Sequence, residues 1–170
     1  SRRRHTSLVR DWSSDVCSSD LNLVFRNRSE LRFEDVSAEW GLDHTGMSFA
    51  SAYADLDRDG DLDLVTANLD EEIAIYRNNT SGGHHLQVKL AGQSSNRFGF
   101  GARVELKLGD GATLLRIVDP MTGFKSSNEP IVHFGLGERT VIARLTVRWP
   151  SGVVQTMENP EADQIGRAHV

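Results

Sequence analysis

The chain has 170 residues, of which 38% are hydrophobic and 25% are charged, and its formal net charge at pH 7 is −5. This acidic balance disfavours nucleic acids and anionic membrane surfaces as partners, because both carry negative charge. No apolar run approaches the length of about 18 residues that a membrane-spanning helix requires, so we expect no membrane insertion.

The two ends of the chain can be encoded by one nucleotide string read on opposite strands. The segment DVCSSD (15–20) can be encoded by GAC GTG TGC TCT TCC GAT, whose reverse complement encodes IGRAHV (165–170). The string resembles a sequencing adapter, so we predict that residues 1–21 are an artefactual or disordered tail and residues 164–170 a second artefactual tail. Cys17 lies in the first tail, so disulfides and thiol chemistry are excluded for the remainder.

A short motif occurs twice within residues 22–79. NLVFRN (22–27) and IAIYRN (73–78) share an apolar residue, an aromatic residue, Arg and Asn, at a separation of about 50 residues that suits four-stranded propeller blades. The stretches 48–56 and 62–69 between them are short, apolar or alternating, and bounded by Gly or Asp, which is typical of strands. We therefore predict about one blade of a β-propeller in this region.

The composition changes after Asn79. The small-residue segment TSGGHH (80–85) is typical of a linker, and its two histidines are interpreted as a solvated pair. Six strand candidates follow in residues 86–163, at 86–92, 102–108, 113–119, 131–137, 143–149 and 153–159. Turn residues at 109–111 and 150–152 favour hairpins, so we predict an antiparallel β-sandwich-like domain and an all-β fold class.

Residues 22–163 contain no recognisable catalytic motif. Neither a nucleophile elbow nor a His-Glu-x-x-His zinc motif occurs, and no catalytic residue is predicted. His133 lies in an apolar strand and is interpreted as a hydrogen-bonded structural histidine. Trp149 stands before a hairpin turn and is interpreted as a core residue.

The strongest chemical signal is the segment DLDRDGDLD (55–63), called the Asp loop below. Gly60 permits a sharp turn, and the loop positions 1, 3, 5, 7 and 9 are Asp55, Asp57, Asp59, Asp61 and Asp63. Carboxylates at this spacing can converge on a hard cation, and Ca²⁺ takes about six to eight oxygen ligands. We expect Asp61 to contribute its backbone carbonyl and the other four their side chains. Without a cation these carboxylates repel one another, and Arg58 is the nearby charge that offsets them.

Three interpretations of the Asp loop compete. An EF-hand needs a bidentate acid at position 12 and helical flanks, but Thr66 stands there and both flanks are strand-like. A solvated acidic turn does not require spacing this regular. We therefore favour a Ca²⁺ loop between two β-strands of a blade. Mg²⁺ is less suited, because it favours few carboxylates and retains several waters.

Two segments resemble known families. ASAYADLDRDGDLDLVTANL (50–69) resembles the FG-GAP or VCBS-type calcium repeat of integrin-like β-propellers. The second half resembles the ASPIC/UnbV domain that follows such repeats in the cartilage acidic protein-like family and its bacterial relatives. The motifs that carry this resemblance are NRFGFGARVELKLGDG (96–111), VHFGLGE (132–138) and LTVRWPSGVVQTMEN (145–159). The segment 121–130 departs from the family pattern, so no ligand role is transferred to it.

The resemblance implies a secreted or cell-envelope protein whose propeller is used for binding and whose Ca²⁺ has a structural role. Carried over by position, the metal ligands are Asp55, Asp57, Asp59, Asp61 and Asp63. We predict a non-catalytic, calcium-binding fragment of a longer propeller chain that binds a protein or glycan ligand, as an adhesion module does. The alternative is a non-catalytic part of a propeller-type carbohydrate-active enzyme.

Overall fold

The computed structural model describes residues 21–28, 30–93 and 96–169, and within these ranges it contains twelve β-strands and no helix. The strands are β1 (Phe25–Asn27), β2 (Phe33–Asp35), β3 (Ser48–Ala54), β4 (Asp63–Asn68), β5 (Ala74–Tyr76), β6 (His84–Ala91), β7 (Arg103–Leu108), β8 (Thr113–Ile117), β9 (Ile131–Gly137), β10 (Ile142–Arg148), β11 (Val154–Glu158) and β12 (Gln164–His169). The all-β prediction is confirmed. Over the described part of the chain, no helix is long and apolar enough to cross a membrane. Cys17 and the rest of the first tail up to residue 20 lie outside the described residues.

The chain divides into two compact units. Of the described residues, the first unit comprises those up to 49 together with 66–74, and the second comprises 50–65 and those from 75 onward. The Asp loop therefore lies in the same unit as the strands of the predicted sandwich. This division differs from the predicted boundary between repeat and linker, because it follows packing rather than the ends of sequence motifs.

The region predicted as a propeller blade contains two small sheets in the described residues. β1 and β2 form an antiparallel pair in which Phe25 faces Asp35 and Asn27 faces Phe33. β3, β4 and β5 form a three-stranded sheet in that order. The predicted strands at β3 and β4 are confirmed. The blade would need four strands in one sheet, and it stays a prediction.

The strands of the second half form two sheets. One sheet has the order β11-β10-β7-β8 and is antiparallel throughout. The other has the order β12-β6-β9, in which β6 pairs antiparallel with β9 and parallel with β12. The segments 109–111 and 150–152 connect hairpin partners, as their turn residues predict.

Side chains from both sheets form one hydrophobic core, as expected of a sandwich. In β7 the alternation places Val104, Leu106 and Leu108 inside, whereas Arg103 and Lys107 are exposed. The cluster consists of Leu86, Val88, Leu90, Ala102, Val104, Leu106, Leu108, Val118, Val132, Phe134, Leu136, Ile142, Leu145, Val147 and Trp149. Trp149 is thus a core residue, as predicted, and these two sheets are called the sandwich below.

The end of the chain takes part in the sandwich. β12 pairs along its whole length with β6, from Gln164 opposite Leu86 to His169 opposite Ala91. This pairing differs from the prediction that residues 164–170 lie outside the fold. Backbone N–H and C=O groups pair with little regard to side-chain identity, so an open strand edge accepts a chain end of many sequences. The adapter origin of these residues stays a prediction.

Candidate metal centre

The Asp loop connects β3 to β4, which are neighbours in one sheet. Its curvature comes from side chains that bind the backbone two residues further on. Asp57 Oδ1 accepts the amide of Asp59 at 3.4 Å, and Asp59 Oδ1 accepts the amide of Asp61 at 3.2 Å. Arg58 and Gly60 have φ angles of 64° and 99°, which turn the chain at the apex. The loop thus lies between two strands, as the sequence predicts.

Three of the five predicted ligands lie together. Carboxylate oxygens of Asp55, Asp57 and Asp59 lie within 4.8 Å of one another. Two oxygens bound to one Ca²⁺ are at most about 5 Å apart, because each Ca–O distance is about 2.3–2.6 Å. The spacing and the all-oxygen donor set therefore fit this hard cation.

Two carboxylate oxygens of the loop lack a hydrogen bond. Asp55 Oδ1 and Asp61 Oδ1 are buried, and neither has a partner among the described residues. A buried oxygen without a partner is costly, typically about 1–3 kcal/mol and more when charged. Binding of a cation would satisfy such oxygens, which is a second respect in which the loop fits a metal.

Asp63 and Asp61 have different roles from the first three aspartates. Asp63 is 2% exposed, and its two oxygens accept the amides of Leu56 at 3.0 Å and Asn78 at 2.8 Å. Asp61 Oδ2 accepts the amide of Thr80 at 3.2 Å. These two side chains fasten the loop to its own start and to the segment that leads into β6.

Arg77 supplies the positive charge closest to the cluster. Its Nη2 lies 2.6 Å from Asp57 Oδ2 and 3.7 Å from Asp59 Oδ2. The sequence prediction named Arg58 for this role, since it stands between the aspartates along the chain. A signal for Arg77 did exist, because this residue belongs to the repeated motif at 73–78.

The pKa values of two aspartates of the loop, Asp59 and Asp61, are shifted in opposite directions. The pKa of Asp59 is lowered, first by the hydrogen bond from the amide of Asp61 and further by the charge of Arg77. The pKa of Asp61 is raised, first by burial and then by the charge of Asp59. A cation placed among these groups would favour the ionised form of both carboxylates.

Gln87 connects the loop to β6. Its neighbours Leu86 and Val88 lie in the core, so alternation along the strand points Gln87 to the outer face of the sheet. The side chain is only 5% exposed, and its Nε2 donates a hydrogen bond of 2.6 Å to Asp55 Oδ2. The same oxygen accepts the amide of Gly60 at 3.2 Å. Two donors therefore hold one oxygen of Asp55, and the other oxygen is left for a ligand.

Two histidines of the sandwich contact the loop at Gly60. His133 stands opposite Gln87 in the pairing of β9 with β6, and its Nε2–H donates to the carbonyl oxygen of Gly60 at 2.8 Å. Burial lowers the pKa of His133, which keeps the ring neutral at pH 7. The ring of His85 stacks on that of His133, with 5.9 Å between centroids and 5° between planes. The interpretation of His133 as a hydrogen-bonded structural residue is confirmed.

The histidines of the predicted linker belong to β6. His84 Nδ1 and the amide of His85 donate to the carboxylate of Asp163 at 2.6 and 3.0 Å. The bond from His84 is the main reason that the pKa of Asp163 is lowered. The interpretation as a solvated linker pair is wrong, because the pairing of β6 with β9 extends to both residues.

The second half of the chain is similar to a known family. Residues 92–168 match the family described as ASPIC and UnbV. Over 142 residues, or 79% of the chain, the sequence is 28% identical to cartilage acidic protein 1 of Mus musculus and 27% identical to that of Homo sapiens. Over 141 residues, or 81% of the chain, it is 25% identical to the protein of that name from Xenopus tropicalis. The chain spans about a fifth of the length of these relatives, between 21% and 22%.

The family match confirms the predicted resemblance of the second half to the ASPIC/UnbV domain. It includes β7 to β11 and most of β12. The resemblance of the Asp loop to an FG-GAP or VCBS-type repeat stays a prediction.

Proposed function

We propose that this chain is a non-catalytic, calcium-binding part of a longer secreted or cell-envelope protein, and that it serves the binding of a protein or glycan ligand. The observation that carries the calcium proposal is the cluster of Asp55, Asp57 and Asp59, whose oxygens lie within 4.8 Å of one another. The buried, unpartnered oxygens of Asp55 and Asp61 support it. The described residues offer an oxygen-only donor set, which suits Ca²⁺ better than a transition metal.

The role proposed for Ca²⁺ is structural. Like charges repel across the turn of the Asp loop, and Arg77 offsets part of this repulsion through its contacts with Asp57 and Asp59. A bound Ca²⁺ would supply two further positive charges between the carboxylates. The ion would then fix the loop that connects β3 to β4, and it would take part in no chemical reaction.

The proposed location and partners rest on similarity. The relatives are named for cartilage, which supports a protein that acts outside the cytoplasm. The first unit exposes large apolar side chains, among them Phe33 and Ile73, and this exposure supports contact with the rest of a longer propeller chain. Proteins and glycans are both proposed as ligands of the assembled protein.

A thermal melt with and without Ca²⁺ tests the proposed site. A ligand at about 100 times its Kd adds about 2.7 kcal/mol to the free energy of unfolding. For a chain of this size we expect the Tm to rise by about 5–10 °C on addition of Ca²⁺ to EDTA-treated protein. The double variant Asp57→Ala with Asp59→Ala should lose this rise.

The matched control removes two carboxylates elsewhere in the second unit. Glu138 and Glu161 are exposed, so Glu138→Ala with Glu161→Ala changes the net charge equally and should keep the rise in Tm. A melting curve of the unaltered chain that does not respond to Ca²⁺ would show that the site does not bind the ion.

A glycan array distinguishes the two proposed classes of ligand. The full-length protein is applied with Ca²⁺ and again with EDTA. Calcium-dependent retention on particular glycans supports a lectin-like adhesion module. Absence of retention on all glycans favours a protein ligand, and release of shortened glycans would support the carbohydrate-active enzyme instead.

A further inference from the structure

Part of the outer face of the sheet β12-β6-β9 contacts the Asp loop. Gln87 and His133 stand opposite each other in neighbouring strands, and both face away from the core. Gln87 bonds Asp55 at the start of the loop, and His133 bonds Gly60 at its apex. One cross-strand pair of the sandwich therefore fixes two separate points of the loop.

The contacts at the apex are too close for a larger residue. A Cβ on residue 60 would clash with Cε1 of His85, whose ring is stacked on His133. The loop backbone thus packs directly against the histidine pair. The amides of Asn78 and Thr80, just before β6, bind Asp63 and Asp61. The loop is held by the sandwich and by the segment that enters it.

We propose that Gln87 and His133 are positioning residues of the metal centre, through which the sandwich holds the Asp loop in its conformation. The inference rests on the proposed calcium function for its metal-binding part. Gln87 acts on Asp55, one of the three clustered aspartates, by holding Oδ2 and leaving Oδ1 unpartnered. Groups that orient a ligand in this way typically contribute about 10- to 100-fold to metal affinity.

Calorimetric titration of Ca²⁺ into the full chain tests this role. Gln87→Met keeps the approximate volume and removes the donor, and Gln87→Leu removes the donor with a different side-chain shape. We expect the Kd for Ca²⁺ to rise by about 10- to 100-fold in both variants. Cooperative melting in EDTA checks that each variant is folded.

Gln155→Met is the matched control. Gln155 also lies in the sandwich, where its Oε1 accepts the indole N–H of Trp149 at 3.1 Å and its Nε2 donates to the backbone oxygen of His169, and neither partner belongs to the loop. This variant removes glutamine hydrogen bonds from the same fold and should leave the Kd for Ca²⁺ within about twofold of the unaltered chain. If both Gln87 variants also bind Ca²⁺ with unchanged Kd, the positioning role is refuted while the calcium function stands.

Hydrogen exchange without metal separates the docking of the loop from the binding of the ion. The amide of Gly60 bonds Asp55 Oδ2, the oxygen that Gln87 also holds. Faster exchange of this amide in Gln87→Met, but not in Gln155→Met, supports docking even if the unaltered chain fails to bind Ca²⁺ and the proposed function falls. Equal exchange rates in all three proteins would overturn the docking.

Discussion

The two units of the chain differ in how many of their apolar side chains are buried. In the sandwich, residues from four strands (β6, β7, β9 and β10) and the adjoining loops meet in one buried cluster, with Phe134 at 0% exposure. In the described part of the first unit, Val36 is the buried hydrophobic residue, whereas Phe33 is 61% exposed. Burial of apolar surface is the main favourable term in folding, so stability should be concentrated in the second unit. The Asp loop shares that stability, because it belongs to the second unit.

Truncation of a phenylalanine in each unit gives the largest contrast. Phe134→Ala removes a fully buried ring and should lower the free energy of unfolding by about 3–5 kcal/mol. Phe33→Ala removes an exposed ring and should change it by no more than about 0.5 kcal/mol. Urea denaturation of both variants measures the difference. Losses of similar size would mean that the first unit has a core comparable to that of the sandwich.

Substitution of Gly60 asks whether the loop is coupled to the sandwich. Gly60→Ala adds a Cβ at a residue whose φ is 99° and places it against His85. We therefore expect the free energy of unfolding of the sandwich to fall by about 2–3 kcal/mol. Gly111→Ala is the control, because residue 111 has a φ of 88° but nothing within 4 Å of the new Cβ. Gly111→Ala should lower the free energy of unfolding by about 1 kcal/mol. Equal losses in urea denaturation would show that contact with His85 contributes nothing.

The smallest effect concerns Asp163, which fastens the segment before β12 to the start of β6. The pKa of Asp163 is lowered in the folded state, mainly by the hydrogen bond from His84. The contribution of Asp163 to the free energy of unfolding is therefore complete above the ordinary carboxyl pKa. It is lost as the pH falls through the lowered pKa. Asp163→Asn should therefore lower the Tm slightly at pH 7. The gap between the two proteins should narrow below about pH 4. A difference in Tm that widens in acid would contradict the role assigned to Asp163.

Six of the seven strands of the sandwich, β6 to β11, were predictable because each has a clear local signal. Val104, Leu106 and Leu108 alternate with charged residues, and the alternation is the observed burial pattern of β7. Gly109 to Gly111 mark the following turn. These signals lie within about ten residues of one another, and no distant contact is needed to interpret them.

The surroundings of the Asp loop were not predictable in the same way. Alternation alone places Gln87 on a solvent-facing side, yet the residue is buried because a loop about thirty residues earlier covers it. Asp63 fits the spacing of a metal ligand, but both of its oxygens hold backbone amides. Sequence spacing identifies the residues whose side chains can converge on one cation. Whether such a side chain binds a metal or accepts hydrogen bonds from the backbone depends on contacts that are distant in the sequence.

The ion pair of Arg77 with Asp57 affects the order of folding and ion binding. Small zinc domains stay unfolded until the metal arrives, because the metal supplies much of their folding free energy. Here a guanidinium of the same chain lies beside the clustered carboxylates, and the hydrophobic core consists of apolar side chains rather than metal ligands. If Ca²⁺ is the ligand, as we propose, the fold therefore forms before the ion is bound, and the ion stabilises a loop that is already in place.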